Sequence, residues 1–113
     1  MGKADLHIHS HYSDGRESIE RILRYVDGRL DVIAITDHDV IDGALRARDL
    51  VAAGGYRVEV VPGIEISTRD GHLLALNVER VIPAGLEMAE TVQAIHEMGG
   101  VAVVAHPLSR WCP

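Results

Sequence analysis

The chain has 113 residues, which is enough for one domain with a modest hydrophobic core. Its formal net charge is −6, and without clustered Lys and Arg it is a poor candidate for non-specific binding to nucleic-acid backbones, although a bound metal ion could still hold a nucleotide. Cys112 is the only cysteine, which excludes an intrachain disulfide, and no apolar run reaches the about 20 residues that cross a bilayer. We therefore expect a single domain over residues 1–113 that is cytoplasmic and has no membrane partner.

Short β-type segments alternate with helical patterns along the chain. The predicted strands are residues 4–9, 31–36, 57–62, 73–78 and 101–105. The first predicted helix begins at Asp14 or Ser18 and carries apolar residues at helical spacing: Ile19, Ile22, Leu23, Val26 and Leu30. A second helix is predicted from Asp42, as its N-cap, to residue 53, and a third over residues 87–98. This alternation favours an α/β fold in which helices cover a parallel sheet.

The predicted sheet has an open edge. The chain ends shortly after the fifth predicted strand, and five strands do not close a barrel. An exposed strand edge needs a cover, because its free backbone groups pair readily with other chains. We expect the domain to be incomplete at its C-terminus. The edge would be covered by a missing C-terminal segment of a longer chain, by self-association, or by a second polypeptide.

Residues with metal-binding side chains fall at the ends of the predicted strands. They follow four of the five strands: His7 and His9, Asp37 and His38, Glu65, and His106. In a parallel α/β sheet the carboxyl ends of the strands share one edge, where active sites form. His72 is an exception, because it opens its predicted strand instead of ending it.

Imidazoles and carboxylates favour borderline divalent ions such as Mn²⁺, Zn²⁺ or Fe²⁺. The period-two geometry of a strand places His7 and His9 on one face, where both can bind one ion, and Glu65 could bridge two ions. Asp5 is predicted on the same face as His7, where it could accept the second ring N–H of a ligand. Asp37 is a further candidate for such a supporting position. Each residue alone also fits a polar strand face or an ordinary cap, but together they favour a multinuclear metal site.

Five motifs occur in a familiar order: "DLHIHSHYSDG", "VIAITDHD", "VVPGIEIST", "HLLAL" and "VAVVAHP". Their order and their placement after strands resemble the PHP (polymerase and histidinol phosphatase) domain family, and the likeness spans residues 5–107. The resemblance implies a distorted seven-stranded (β/α) barrel with a metal cluster at its C-terminal face. This chain would form the N-terminal part of that barrel, with about five parallel strands.

The resemblance also implies how two or three metal ions would be held. The first ion would take His7, His9 and a bridging Glu65. The second ion would share Glu65 with His72 and His106, and the third would take Asp14 and His38. The family's last motif, an Asp-x-His near the end of the domain, is absent from this chain, so we expect an incomplete set of metal ligands.

The wording of the motifs resembles the stand-alone phosphoesterases of the family. It implies hydrolysis of phosphate esters of nucleotides, short oligonucleotides or other small phosphorylated molecules. A metal-bridged hydroxide would be the nucleophile, so no side chain is assigned as a catalytic nucleophile. Arg16 and Arg110 lie beside the ligand motifs and could clamp a phosphate group.

Two other functions remain open from the sequence. The domain could be a metal-binding module without catalytic activity, in a truncated or regulatory role. It could also be a metal-dependent hydrolase of C–N bonds, but the usual bridging carbamylated lysine has no good candidate. Lys3 is the only lysine and precedes all the motifs.

Overall fold

The computed structural model describes residues 2–104, so His106, Arg110 and Cys112 lie outside the described residues. The described chain contains five strands and three helices, and their bounds agree with the predicted elements to within a few residues except for a longer third strand. In chain order they are β1 (Ala4–Ile8), α1 (Ile19–Val26), β2 (Val32–Ile35), α2 (Asp42–Ala52), β3 (Glu59–Thr68), β4 (Gly71–Leu76), α3 (Met88–Glu97) and β5 (Val101–Val104). No helix among the described residues has the length and apolar character needed to cross a membrane.

The strands form one curled sheet in the order β1-β2-β3-β4-β5, which confirms the α/β class and the partial PHP-type barrel. β1, β2 and β3 are parallel, but β4 is antiparallel to both of its neighbours. The prediction of about five parallel strands is therefore wrong for β4. Only Arg69 and Asp70 separate β3 from β4, and a two-residue connection makes a hairpin, whereas a parallel pair needs a crossover of a dozen or more residues.

The reversed direction of β4 explains the unusual position of His72 in the sequence. In an antiparallel pair the start of one strand lies beside the end of the other, and His72 pairs with Ser67 near the end of β3. His72 therefore reaches the same edge of the sheet as the residues that follow β1 and β2, although it opens its own strand.

The hydrophobic core lies between the sheet and the helices. Ser18 is the N-cap of α1, where its Oγ accepts the N–H of Arg21 at 3.2 Å, so Ser18 and not Asp14 begins the helix. The buried face of α1 packs into one cluster with alternate residues of the strands: Ile19, Ile22, Leu23, Val26, Ile33, Ile35, Ile64, Ile66 and Leu73. Burial of each such side chain contributes about 1.5–3 kcal/mol.

The other two helices differ slightly at their starts. Asp42 is the first residue of α2 and not its N-cap, because Ile41 occupies that position without a side-chain cap. Glu87 caps α3 and forms a reciprocal capping box with Glu90. Both helices still bury one face against the sheet.

The second face of the sheet lines the inside of the curled structure. Ile64 and Ile66 point to the helices, so Glu65 between them points inward. Within residues 2–104 no strand pairs with the outer edge of β1 or of β5. Near the β5 edge, Val101 and Val103 are 56% and 42% exposed, which leaves apolar surface beside the inward-facing residues.

β3 continues beyond the end of β2, and residues 37–39 pair with it there. The N–H of Glu65 donates to the carbonyl of Asp37, and the N–H of Asp39 donates to the carbonyl of Glu65, both at 2.9 Å. Asp39 then turns the chain with a left-handed backbone (φ +56°), and its Oδ1 accepts the N–H of Ser67 at 2.9 Å. The Asp39 side chain thus replaces a strand carbonyl and fixes His38 beside Glu65.

We predict that Asp39→Ala destabilises the protein by about 1–3 kcal/mol, because alanine keeps the left-handed strain and leaves the Ser67 N–H without its acceptor. Asp39→Asn is expected to cost less than about 1 kcal/mol, because asparagine tolerates this backbone and its amide oxygen can accept the same hydrogen bond. Urea unfolding of both variants measures the difference. Equal destabilisation by the two substitutions would contradict this account.

Candidate metal centre

A buried carboxylate, that of Glu65, lies at the middle of the predicted site. Glu65 is 0% exposed, since β3 is flanked on both sides and the residue faces inward. The Nε2 atoms of His7 and His9 lie 2.8 and 2.6 Å from its Oε1. Residues that are 56 and 58 positions apart in the chain therefore meet at one oxygen.

The second oxygen of Glu65 faces a different histidine. His72 Nδ1 lies 3.1 Å from Oε2, and His38 Nε2 lies 3.9 Å from Oε1. The carboxylate thus divides its two oxygens between β1 and β4, with His38 from the end of β2 between them. This is the arrangement that a carboxylate bridging two ions requires.

Two opposing effects act on the pKa of Glu65. Burial raises this pKa, whereas the hydrogen bonds from His7 and His9, together with the nearby charge of His38, lower it. The net result is a pKa below its ordinary value, so the carboxylate is ionised at neutral pH. An ionised, buried carboxylate is a strong ligand for a divalent cation.

Asp14 approaches the same cluster from the loop after β1. Its Oδ1 lies 2.8 Å from His9 Nδ1, and its Oδ2 lies 3.3 Å from His38 Nε2. A neutral imidazole has one lone pair, so a His9 that bound an ion through Nε2, in place of its hydrogen bond to Glu65, would carry its proton on Nδ1 and could donate it to a partner. Asp14 is that partner, and its other oxygen remains directed toward His38.

The structure brings six predicted ligands together in three overlapping groups, and within each group the ligand atoms lie within 4.8 Å of one another. The groups are His7, His9 and Glu65; His9, Asp14 and His38; and His38, Glu65 and His72. Two ligands bound at 2.0–2.2 Å to one ion lie at most about 4.4 Å apart, and the separations of 2.6–3.9 Å from the histidines to Glu65 and Asp14 lie within this limit. The nitrogen and oxygen donors fit borderline divalent ions.

Asp37 holds the loop after β1 instead of facing the histidines. It is 1% exposed, and its Oδ1 accepts hydrogen bonds from the Ser10 N–H at 2.6 Å and the Ser13 hydroxyl at 2.7 Å. Its Oδ2 accepts the Ser10 hydroxyl at 2.7 Å. Sequence reasoning did not identify Ser10 or Ser13, and the only signal was their position within the "HSHYSDG" motif.

The prediction that Asp5 shares a face with His7 is wrong. Asp5 pairs with Ile33 and Ile8 pairs with Ile35, so a β-bulge between them shifts the register by one residue. Asp5 therefore lies with Ile8 on the side of α1, where both line a cavity. Its Oδ1 accepts the backbone N–H of His7 at 3.1 Å, which supports the bulge.

The remaining candidates are peripheral or undescribed. Arg16 is exposed in the segment that follows the "SDG" motif, and His11 is exposed with its ring 4.9 Å from that of Tyr12. Lys3 precedes β1 and is exposed at the opposite end of this strand from His9, so it offers no bridging carbamate at the centre. His106 and Arg110 lie outside the described residues.

Comparison with known proteins gives the chain a family. The sequence profile of the PHP domain matches residues 5–99. The Methanocaldococcus jannaschii protein MJ1587, which is uncharacterized, is 39% identical over 97% of this chain and 70% of its own length. The 5'-3' exoribonuclease Rnm of Salmonella typhimurium is 36% identical over 71% of this chain. The phosphoribosyl 1,2-cyclic phosphate 1,2-diphosphodiesterase of Eggerthella lenta is 40% identical, also over 71% of it.

The chain is much shorter than these two enzymes. The aligned regions span 29% of the exoribonuclease and 32% of the diphosphodiesterase. The similarity to both enzymes therefore concerns the domain that carries the histidine motifs and not the whole of either protein.

A solved structure shows the same fold. A two-domain protein of Bacteroides vulgatus, described as containing a predicted PHP-like metal-dependent phosphoesterase, superposes with a TM-score of 0.71 at 22% identity, covering 88% of this chain and 33% of that protein. The match of the family profile to most of the chain, the similar enzymes and the shared fold lead to one conclusion: this chain belongs to the PHP domain family.

Proposed function

We propose that this protein is a metal-dependent phosphoesterase. The observation that carries the proposal is the buried Glu65 carboxylate, whose two oxygens lie between histidines from separate strands. The names of the two similar enzymes support the type of reaction, because an exoribonuclease and a diphosphodiesterase both hydrolyse phosphodiester bonds.

Each residue of the centre has a defined task in this proposal. His7, His9 and Glu65 would hold one ion. Asp14 and His38 would hold a neighbouring ion. Bound divalent ions would supply the chemistry by lowering the pKa of a water molecule and neutralising charge on the phosphate oxygens. Glu65 holds the ligand groups of β1 and β4 in a fixed relation, and Asp14 fixes the ring orientation of His9.

We further propose that the substrate is a small ribose-phosphate ester or the end of a short oligonucleotide. The names of both similar enzymes refer to ribose phosphates, one in RNA and one in a phosphoribosyl cyclic phosphate. A net charge of −6 opposes binding of a long polyanion, so attraction of the phosphate depends on the metal ions and on nearby arginines. Mn²⁺, Zn²⁺ or Fe²⁺ would suit the donors.

In this proposal the complete site includes residues other than those that the structure describes. His106 would join Glu65 and His72, and a further segment or a second copy of the chain would cover the open edge beside β5. Exposed Val101 and Val103 support such a cover, because an apolar inner surface is stabilised by burial.

We predict that Glu65→Gln lowers metal-dependent hydrolysis of a generic phosphodiester by at least about 100-fold, because a neutral amide cannot bridge two cations. Elemental analysis should show reduced metal content in the same variant. Glu59→Gln is the matched control, since Glu59 lies on the same strand but is exposed. Unchanged turnover in Glu65→Gln, with a wild-type level in the control, would refute the proposal.

Metal removal is expected to abolish activity reversibly. Dialysis against a chelator should remove the hydrolysis of the same phosphodiester, and addition of Mn²⁺ or Zn²⁺ should restore it, because no side chain serves as the nucleophile. Circular dichroism before and after dialysis separates this loss from unfolding. Full activity in metal-free protein with a verified absence of metal would contradict the mechanism.

Arg16→Ala is predicted to raise KM about tenfold with a smaller change in kcat, because an exposed arginine beside the "SDG" motif would bind the substrate phosphate. Arg24→Ala is the control, since Arg24 is an exposed arginine on α1. Steady-state kinetics of both variants test this role. An equal KM in the two variants would remove Arg16 from the site.

A further inference from the structure

The loop after β1, residues 9–15, holds Asp14 in place without burying its side chain. It carries Asp14, whose side chain is 62% exposed, so burial of this side chain cannot hold it in place. The other ligand candidates of the described centre lie on strands, directly after a strand, or, for His38, in a bridge to β3. Asp14 nevertheless reaches both His9 and His38, at 2.8 and 3.3 Å.

Ser10 organises this loop from its buried interior. Ser10 is 0% exposed, and its carbonyl accepts the N–H groups of Ser13 and Gly15 at 3.1 and 2.9 Å. Its Oγ also accepts the N–H of Tyr12 at 3.1 Å. The backbone on both sides of Asp14 is therefore bonded to one buried residue.

Asp37 anchors the loop to the end of β2. Its carboxylate accepts three hydrogen bonds of 2.6–2.7 Å, two from Ser10 and one from the hydroxyl of Ser13, the residue before Asp14. Hydrogen bonds to an ionised acceptor are shorter and stronger than those between neutral groups. The loop is thus fixed to the same segment that carries His38, the second partner of Asp14.

Two glycines leave this assembly little freedom. A Cβ atom on Gly43, in the first turn of α2, would lie 2.5 Å from Asp37 Oδ2 and 3.0 Å from Ser10 Oγ. A Cβ atom on Gly15 would lie 2.1 Å from the carbonyl oxygen of His9. The loop and its anchor therefore pack at distances that allow only glycine at these two positions.

We infer that Asp37 and Ser13 are positioning residues that place Asp14 against His9 and His38 for metal binding. This inference rests on the proposed metal centre, since Asp14 acts in it as the acceptor for His9 and as a ligand beside His38. The effect on the metal passes through Asp14 alone. If the anchor only stabilised the fold, its loss would weaken metal binding to the same extent whether or not the side chain of residue 14 could bind the metal.

A double-mutant cycle on Mn²⁺ affinity separates these two roles. Ser13→Ala removes one hydrogen bond from a half-buried hydroxyl, so the variant should fold, and thermal unfolding of the metal-free protein checks this. The concentration of free Mn²⁺, measured by electron paramagnetic resonance, gives the affinity of the most weakly bound ion. Ser13→Ala should lower this affinity about tenfold relative to the wild type. In an Asp14→Asn background, Ser13→Ala should cause no further loss.

Asp37→Asn is the second variant and should give the same pattern, because its amide group turns a donor toward Ser10. Ser18→Ala is the control; the half-buried hydroxyl of Ser18 also takes part in one hydrogen bond, which it accepts from the N–H of Arg21 at the start of α1, so Mn²⁺ affinity should be unchanged. An equal loss from Ser13→Ala in both backgrounds, or no loss in either, would overturn the inference while the proposed function stands. A wild-type protein that binds no Mn²⁺ and no other divalent ion would overturn both.

Discussion

The burial of the charged Glu65 carboxylate is the constraint on which the rest of the structure depends. An ionised carboxylate that is fully removed from water costs several kcal/mol unless opposite charge and hydrogen bonds compensate for it. His7 and His9 supply that compensation from β1 and its end, across β2, and His72 supplies it from the neighbouring β4; a divalent cation would supply more. β3 must therefore lie inside the sheet, with β1 and β4 reaching the same edge. The short hairpin to β4 satisfies this requirement, because it returns the chain directly beside Glu65.

The segment Asp37–His38–Asp39 shows how one short motif serves three purposes. Successive side chains of an extended chain point in opposite directions, so Asp37 faces Ser10 under α2, while His38 faces Glu65. Asp39 leaves the extended conformation and uses its carboxylate to continue the pairing of β3. The backbone carbonyl of Asp37 and the carboxylate of Asp39 both pair with β3, which holds the backbone on either side of the histidine. A metal ligand between two anchored residues loses little conformational entropy when an ion binds.

The proposed action of this acidic protein on phosphate esters requires a local source of positive charge. The chain carries a net charge of −6, and the carboxylates of Glu65 and Asp14 lie within the proposed centre itself. Bound cations would reverse the sign of this local field, so the proposed metal centre and the proposed substrate belong together physically. Family members that share this domain differ widely in length, so residues beyond the domain have room to define which ester is bound.

The sequence by itself determined the element order, the helix positions, the family and the set of residues that gather at the centre. It did so because hydrophobic periodicity and the ends of strands are local features, and because the order of the histidine motifs is specific. Tertiary structure alone decided the direction of β4, the side of the sheet that Asp5 occupies and the partners of Asp37. The direction of β4 follows from a two-residue connection, the placement of Asp5 from a β-bulge that shifts the period-two pattern, and the role of Asp37 from contacts across 24 and 27 positions of the chain. The two-residue connection exists because β3 extends to Thr68, beyond its predicted end at residue 62. This extension, the bulge and the contacts of Asp37 all depend on pairing with other segments, which no local pattern encodes.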